Sequence, residues 1–190
     1  MNLEPSRAAR AHRGKPQSVR NPPPRAVVPP PLTLSQLVNE SRSFSRFISL
    51  SRTPAMPRND GKLGEQIAQQ ILEAETRATF RSIQNASGNG ADLVRINPLT
   101  RTIEHVEVKS SQIGAPGWPD NLANRFTTWI NDAAGGTLSG QRVSADTQAY
   151  AAEIQRLIAQ GYTVEHRVAQ VTIPPAGQTG SALFRLFNWP

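Results

Sequence analysis

Hydrophobic positions become periodic only after Asn59. Leu63, Ile67, Ile71 and Leu72 recur at the spacing of one helix face, which predicts a helix from Lys62 to about Glu75 with Asp60 as its N-cap. The period then shortens towards two. Residues 79–83 and 92–96 read as strands, separated by the loop-forming run Asn85-Ala86-Ser87-Gly88-Asn89-Gly90. Asn97-Pro98-Leu99-Thr100 is a turn, and residues 102–109 form a third strand that closes a hairpin with the second. Alternation along that third strand sets His105, Glu107 and Lys109 on one face and Val106 and Val108 on the other.

Residues 113–140 have no clear period, apart from a short predicted helix from Asn121 to Asn131. Ser144 or Asp146 then caps a helix that runs to about Gln160, carries Ala149, Ala152, Ile154, Leu157 and Ile158, and stops at Gly161. A strand over residues 162–173 ends at Pro174-Pro175, and a last strand covers 182–187. The order helix, three strands, helix, strand predicts an α/β fold with a mixed sheet flanked by helices.

The residues before this domain read differently. Residues 1 to about 31 combine Arg, Ser and Pro, with two Pro-Pro-Pro runs at 22–24 and 29–31, and are expected to be extended or disordered. Residues 33–50 carry Leu34, Leu37, Val38, Phe44, Phe47 and Ile48, and one or two short helices are expected there. The chain therefore divides into a basic Pro/Arg-rich leader, 1–58, and a domain, 59–190.

Charge sharpens this division. The leader holds ten Lys or Arg against Glu4 and Glu40, a net of +8, whereas residues 59–190 hold eleven against twelve acids, a net of −1. The overall +7 is thus a property of the leader, and a nucleic-acid reading has to come from a site. The absence of cysteine removes disulfide frameworks, zinc-thiolate sites and cysteine nucleophiles. No run of eighteen apolar residues exists, and the first thirty residues lack the apolar centre of a secretory signal, so neither membrane insertion nor a cleaved signal peptide is expected.

The candidate chemistry lies in GADLVRINPLTRTIEHVEVKSSQ. Folding the hairpin brings Asp92 and Glu107 together, with Lys109 one pleat further along on the same face as Glu107. Two converging carboxylates suit a hard divalent cation such as Mg²⁺ or Mn²⁺, and phosphodiester hydrolysis is chemistry that such an ion promotes. Only three lysines occur, Lys15, Lys62 and Lys109, among eighteen arginines, so Lys109 stands where a compact charge is wanted.

This constellation resembles the PD-(D/E)XK nucleases of restriction-endonuclease-like fold. Over roughly residues 60–173, Gly64-Glu65 on a first helix, Gly90-Ala91-Asp92-Leu93-Val94, Glu107-Val108-Lys109, and then helix and strand follow that superfamily's αβββαβ order. The resemblance implies that Asp92 and Glu107 are metal ligands assisted by the Val108 carbonyl, that Lys109 is the catalytic lysine, and that Glu65 is a ligand or water-mediated partner. It carries Gln112 over as an auxiliary polar position. One departure is Ala91, where the proline of the motif's name would stand.

The layout of a basic leader and a cysteine-free nuclease resembles toxin domains of bacterial polymorphic, contact-dependent and type VI effectors. That implies a DNA substrate, an immunity partner in the producer's cytoplasm, docking to secretion machinery through residues 1–58, and delivery into a target cell's cytoplasm. Housekeeping repair, junction or restriction endonucleases, and a catalytically silent nucleic-acid-binding module, are the alternatives.

Each residue also has an ordinary structural reading. Asp92 and Glu107 also read as hairpin decoration, Lys109 as a salt-bridge partner, and Glu65 as a first-turn acid favoured by the helix dipole. His105 lies on the motif face and is a candidate for touching substrate, although a lone histidine is more often structural; His166 is the weaker candidate. Trp118 and Trp129 are candidates for base stacking or for core packing.

Overall fold

The computed structural model describes residues 32–38, 43–49 and 61–189. A short helix α1 (Leu34–Val38) and strand β1 (Ser43–Ser49) precede helix α2 (Lys62–Thr76). Strands β2 (Arg81–Gln84), β3 (Gly90–Asn97) and β4 (Thr102–Ser111) follow, and then helix α3 (Leu122–Ala134). A two-residue ladder, β5 (Thr137–Leu138) with β6 (Gln141–Arg142), leads to helix α4 (Ala145–Ala159), β7 (Thr163–Thr172) and β8 (Ser181–Asn188).

Six strands form one mixed sheet in the order β1-β8-β7-β4-β3-β2. β4 and β7 are parallel, and every other neighbouring pair is antiparallel. This is the α/β architecture with a mixed, helix-flanked sheet that the sequence predicts.

The two faces bury different helices. Ile67, Ala68, Ile71 and Leu72 of α2 join Leu34 and Val38 of α1 against Leu93, Val106, Val108, Ala169 and Val171. On the other face Phe126 and Ile130 of α3 and Ile154 and Leu157 of α4 pack with Ile83, Ala91, Val94 and Ile103. Each Val, Leu, Ile or Phe side chain among these contributes about 1.5–3 kcal/mol on burial. α2 can lie directly against β4 because residue 64 is glycine: a Cβ there would overlap the side chain of Ser110.

The structure departs from the sequence reading in several places. Residues 43–49 form a strand rather than a helix, paired in register from Ser43↔Phe187 to Ser49↔Ser181. α1 and β1, assigned above to the leader, belong to the same compact unit as residues 61–189. Gly61, at φ 92°, occupies the N-cap position expected of Asp60. Asp60 itself and the expected disorder of residues 1–31 lie outside the described residues. Among the described residues no helix is long and apolar enough to cross a membrane.

A buried ion pair fastens α1 to the sheet. Arg95 Nε lies 3.2 Å from Glu104 Oε2, with side-chain exposures of 7% and 0%. Glu104 Oε1 accepts the Leu34 N–H, and Arg95 donates to the Leu32 carbonyl. Burial raises the Glu104 pKa and Arg95 lowers it again. Arg95→Met is therefore expected to cost about 3–5 kcal/mol in urea unfolding at neutral pH, because it strands a buried carboxylate. The raised pKa makes that loss grow as pH rises, and adding Glu104→Leu should recover most of it.

Candidate active site

The site begins with a bulge in β3. Arg81 pairs with Val94 and Ile83 with Ala91, so two residues of β2 span three steps of β3, and the irregularity falls at Asp92-Leu93. Gly90 makes the approach possible: it sits at φ 135°, and a Cβ there would overlap the Ile83 carbonyl oxygen. The β3–β4 register runs from Asn97↔Thr102 to Leu93↔Val106. Just beyond it, the Asp92 carboxylate takes over the bonding: Oδ2 accepts the Val108 N–H at 2.7 Å and Oδ1 accepts from Gln84 Nε2 at 2.9 Å.

Glu107 lies opposite on β4. Its Oε1 accepts from Lys109 Nζ at 2.8 Å and lies 3.8 Å from an Arg125 guanidinium nitrogen. Its Oε2 is buried and has no hydrogen-bond partner, with His105 Nε2 4.0 Å away. Glu65, in the first turn of α2, reaches the same place from the other face of the sheet, with its Oε2 3.4 Å from Gln84 Nε2. Gln84 thus bridges the helix carboxylate and Asp92.

These groups line a cleft of about 430 Å³ shared by Glu65, Asp92, Glu107, Lys109, Arg125 and Trp129. Its electrostatics are unfavourable as they stand. Burial pushes the Asp92 carboxyl up to about 8, and the nearby Glu107 charge adds to that; the Val108 N–H pulls it partly back, as does Lys109. Two carboxyl groups placed where neither is well solvated, one with an orphaned oxygen, describe a place short of positive charge.

The structure brings Asp92, Glu107, Val108, Lys109 and Glu65 together and leaves two candidates out. His105 is fully buried beneath α3, stacked on Phe126 at 4.4 Å between ring centres, and shares a 3.0 Å hydrogen bond between Nδ1 atoms with His166. Burial holds its pKa well below the usual value, so it is neutral and out of reach of a substrate. Gln112 donates to the Pro174 carbonyl and does not line the cleft. His166 is partly buried on β7, and Trp118 is exposed on the 112–121 segment.

Two contributors were not singled out from the sequence. Gln84 ends a short edge strand and has no motif around it. Arg125 projects from α3 into the cleft and lies over the Trp129 ring at 4.6 Å. Their i,i+4 spacing on a helix was the available signal.

Among the described residues no group of three or more His, Cys, Asp or Glu is arranged to hold a metal. The donors that converge are the two carboxylates Asp92 and Glu107, with Glu65 reaching them through Gln84. That set fits Mg²⁺, which is commonly held by one or two carboxylates and keeps several waters. The partnerless Glu107 Oε2 and the raised Asp92 pKa are what such an ion would relieve. Comparison of the chain with family models, with curated proteins and with solved structures finds no match.

Proposed function

We propose that this protein is a metal-dependent nuclease of the PD-(D/E)XK, restriction-endonuclease-like kind that hydrolyses DNA. The observation that carries the reading is the convergence of Asp92 and Glu107 in one cleft with Lys109 at hydrogen-bond distance. The order α2, β2, β3, β4, α4, β7 supports it. Asp92, Glu107 and the Val108 carbonyl would hold Mg²⁺ or Mn²⁺, which when bound supplies a water acidic enough to act near neutral pH and polarises the phosphate.

The chain's own groups do the rest. Lys109, held by Glu107, presents an ammonium that orients the attacking water and stabilises charge on the phosphate as it builds. Arg125, fixed over Trp129, faces the cleft with a fork suited to phosphate oxygens. Gln84 and Glu65 hold Asp92 in its bulged position.

The biological role that suits a basic leader ahead of such a domain is an antibacterial effector, neutralised by an immunity protein and delivered through secretion machinery that docks residues 1–58. A second reading, a silent nucleic-acid-binding module of the same fold, is favoured by one observation: the lack of a three-ligand group among the described residues.

Plasmid DNA separates the two. Purified protein should nick or linearise it with Mg²⁺ and not with chelator, and absence of cleavage with either Mg²⁺ or Mn²⁺ would overturn the enzyme in favour of the module. Arg125→Ala should keep the fold, since its side chain is 42% exposed, and slow single-turnover cleavage by about 10- to 100-fold. An unchanged rate would remove Arg125 from the site.

A further inference from the structure

The face of the sheet that carries Lys109 continues past the cleft. Lys109 pairs in register with Gln170 on β7, and Gln170 pairs with Arg185 on β8, so the three share one face of the sheet. Strands are about 4.8 Å apart, which puts β8 roughly 10 Å from the catalytic strand. Phe187, two residues beyond Arg185, faces the same way. The segment after β4 returns over this surface and is pinned there: Gln170, itself buried, donates to the Pro116 carbonyl at 2.9 Å.

That anchoring sets Trp118 on Phe187, with ring centres 5.4 Å apart, and beside Trp189 at 6.3 Å. Both neighbouring rings are tilted against Trp118, which remains 51% exposed. A tryptophan in a core would be covered, whereas this one is held by its neighbours with half its surface presented to solvent. Exposed Arg185 stands on the same face, two residues along β8 from Phe187 and in register, through Gln170, with Lys109.

We propose that Trp118, Phe187 and Trp189 form a stacking platform for unpaired bases, so that the substrate is a single strand or a frayed or flapped duplex whose backbone runs past Arg185 to Lys109 and Arg125. The substrate assignment rests on the nuclease reading; the binding surface does not. Aromatic rings accept any base in stacking, and bases inside a duplex do not offer their faces. Residues 59–190 have a net charge of −1, so within the domain stacking rather than bulk charge has to supply the affinity, while the +8 of the leader attracts strand and duplex alike.

The test uses the full chain with chelator present, so that nothing is cut. Anisotropy of a labelled oligothymidylate and of a duplex of equal length gives the two affinities. The single strand should bind more tightly, Trp118→Ala should weaken it by about tenfold, and Trp118→Phe should restore most of the loss. Equal binding of strand and duplex, or no effect of Trp118→Ala, would overturn the platform. Binding of neither also overturns it. Strand binding without any metal-dependent cleavage would sink the nuclease and leave the platform standing; plasmid cleavage with no strand preference does the reverse.

Discussion

Lys109→Ala should abolish plasmid cleavage in practical terms, slowing it on the order of 100- to 1000-fold, while the fold persists. The fold persists because the Lys109 side chain is 34% exposed and leaves no core cavity, although Glu107 is only 3% exposed and loses its nearest partner, a cost on the order of 1–3 kcal/mol with Arg125 still 3.8 Å from the same oxygen. Under the proposed nuclease reading the rate falls because the ammonium is the only lysine charge among the described residues lining the cleft, and its effect grows as charge accumulates on the phosphate. Lys109→Arg should rescue little, since the planar guanidinium cannot occupy the compact site beside Glu107. Circular dichroism and a melting curve would establish that the variant is folded. A folded Lys109→Ala protein that cuts at the wild-type rate would remove the assignment of Asp92, Glu107 and Lys109 as a catalytic unit.

Asp92→Asn separates the cost of the site from its use. With its folded-state pKa at about 8 against 3.8 for an ordinary aspartate, Asp92 in the metal-free protein keeps a proton that the unfolded chain releases. Folding stability from this group is therefore full below about pH 4 and declines as pH rises towards 8. Chelated wild type should melt at progressively lower temperature across that window. Asp92→Asn should flatten the slope and be more stable at pH 8 by on the order of 1–3 kcal/mol. The amide can still accept the Val108 N–H and, with Gln84 turned over, donate to its carbonyl. The same variant should show no cleavage and no Mg²⁺-induced rise in melting temperature. In wild type that rise should be larger at pH 8.5 than at pH 6, because metal binding at lower pH has to displace the proton. Parallel pH slopes for wild type and variant would show that Asp92 is ordinarily ionised.

Much of the candidate site was legible because its elements are long and locally patterned. α2 shows a clean apolar face, and the alternation around Glu107-Val108-Lys109 placed Val106 and Val108 in the core beneath α2; the opposite face, expected to be polar, carries a core of its own under α3 and α4. What escaped depends on contacts distant in sequence. Phe44, Phe47 and Ile48 have helix-like spacing, yet residues 43–49 become a strand because β8 offers hydrogen bonds that no local window reveals. The bulge at Asp92 arises from how β2 and β3 meet, and nothing in GADLV announces it. β5 and β6 are two residues each, too short for any period, although Ser139-Gly140 at φ 50° and 75° is a hairpin turn with both residues left-handed. His105 shares a face with Glu107 as expected, but α3 lies on top of it, and alternation alone does not say which part of a face is covered.

The pairing of β1 with β8 also sets a timetable. Residues 43–49 leave the ribosome long before residues 181–188 and have to wait for them before they gain the neighbour they have in the finished sheet. At ordinary synthesis rates that delay is on the order of ten seconds. During it, a segment containing Phe44, Phe47 and Ile48 has no strand to lie against, and the far end of the sheet is missing while β2, β3 and β4 are already available to pair. Production of this protein is thus most vulnerable to sticking and to proteolysis just before the last strand emerges, and a chaperone acting on nascent chains would find its target at residues 43–49.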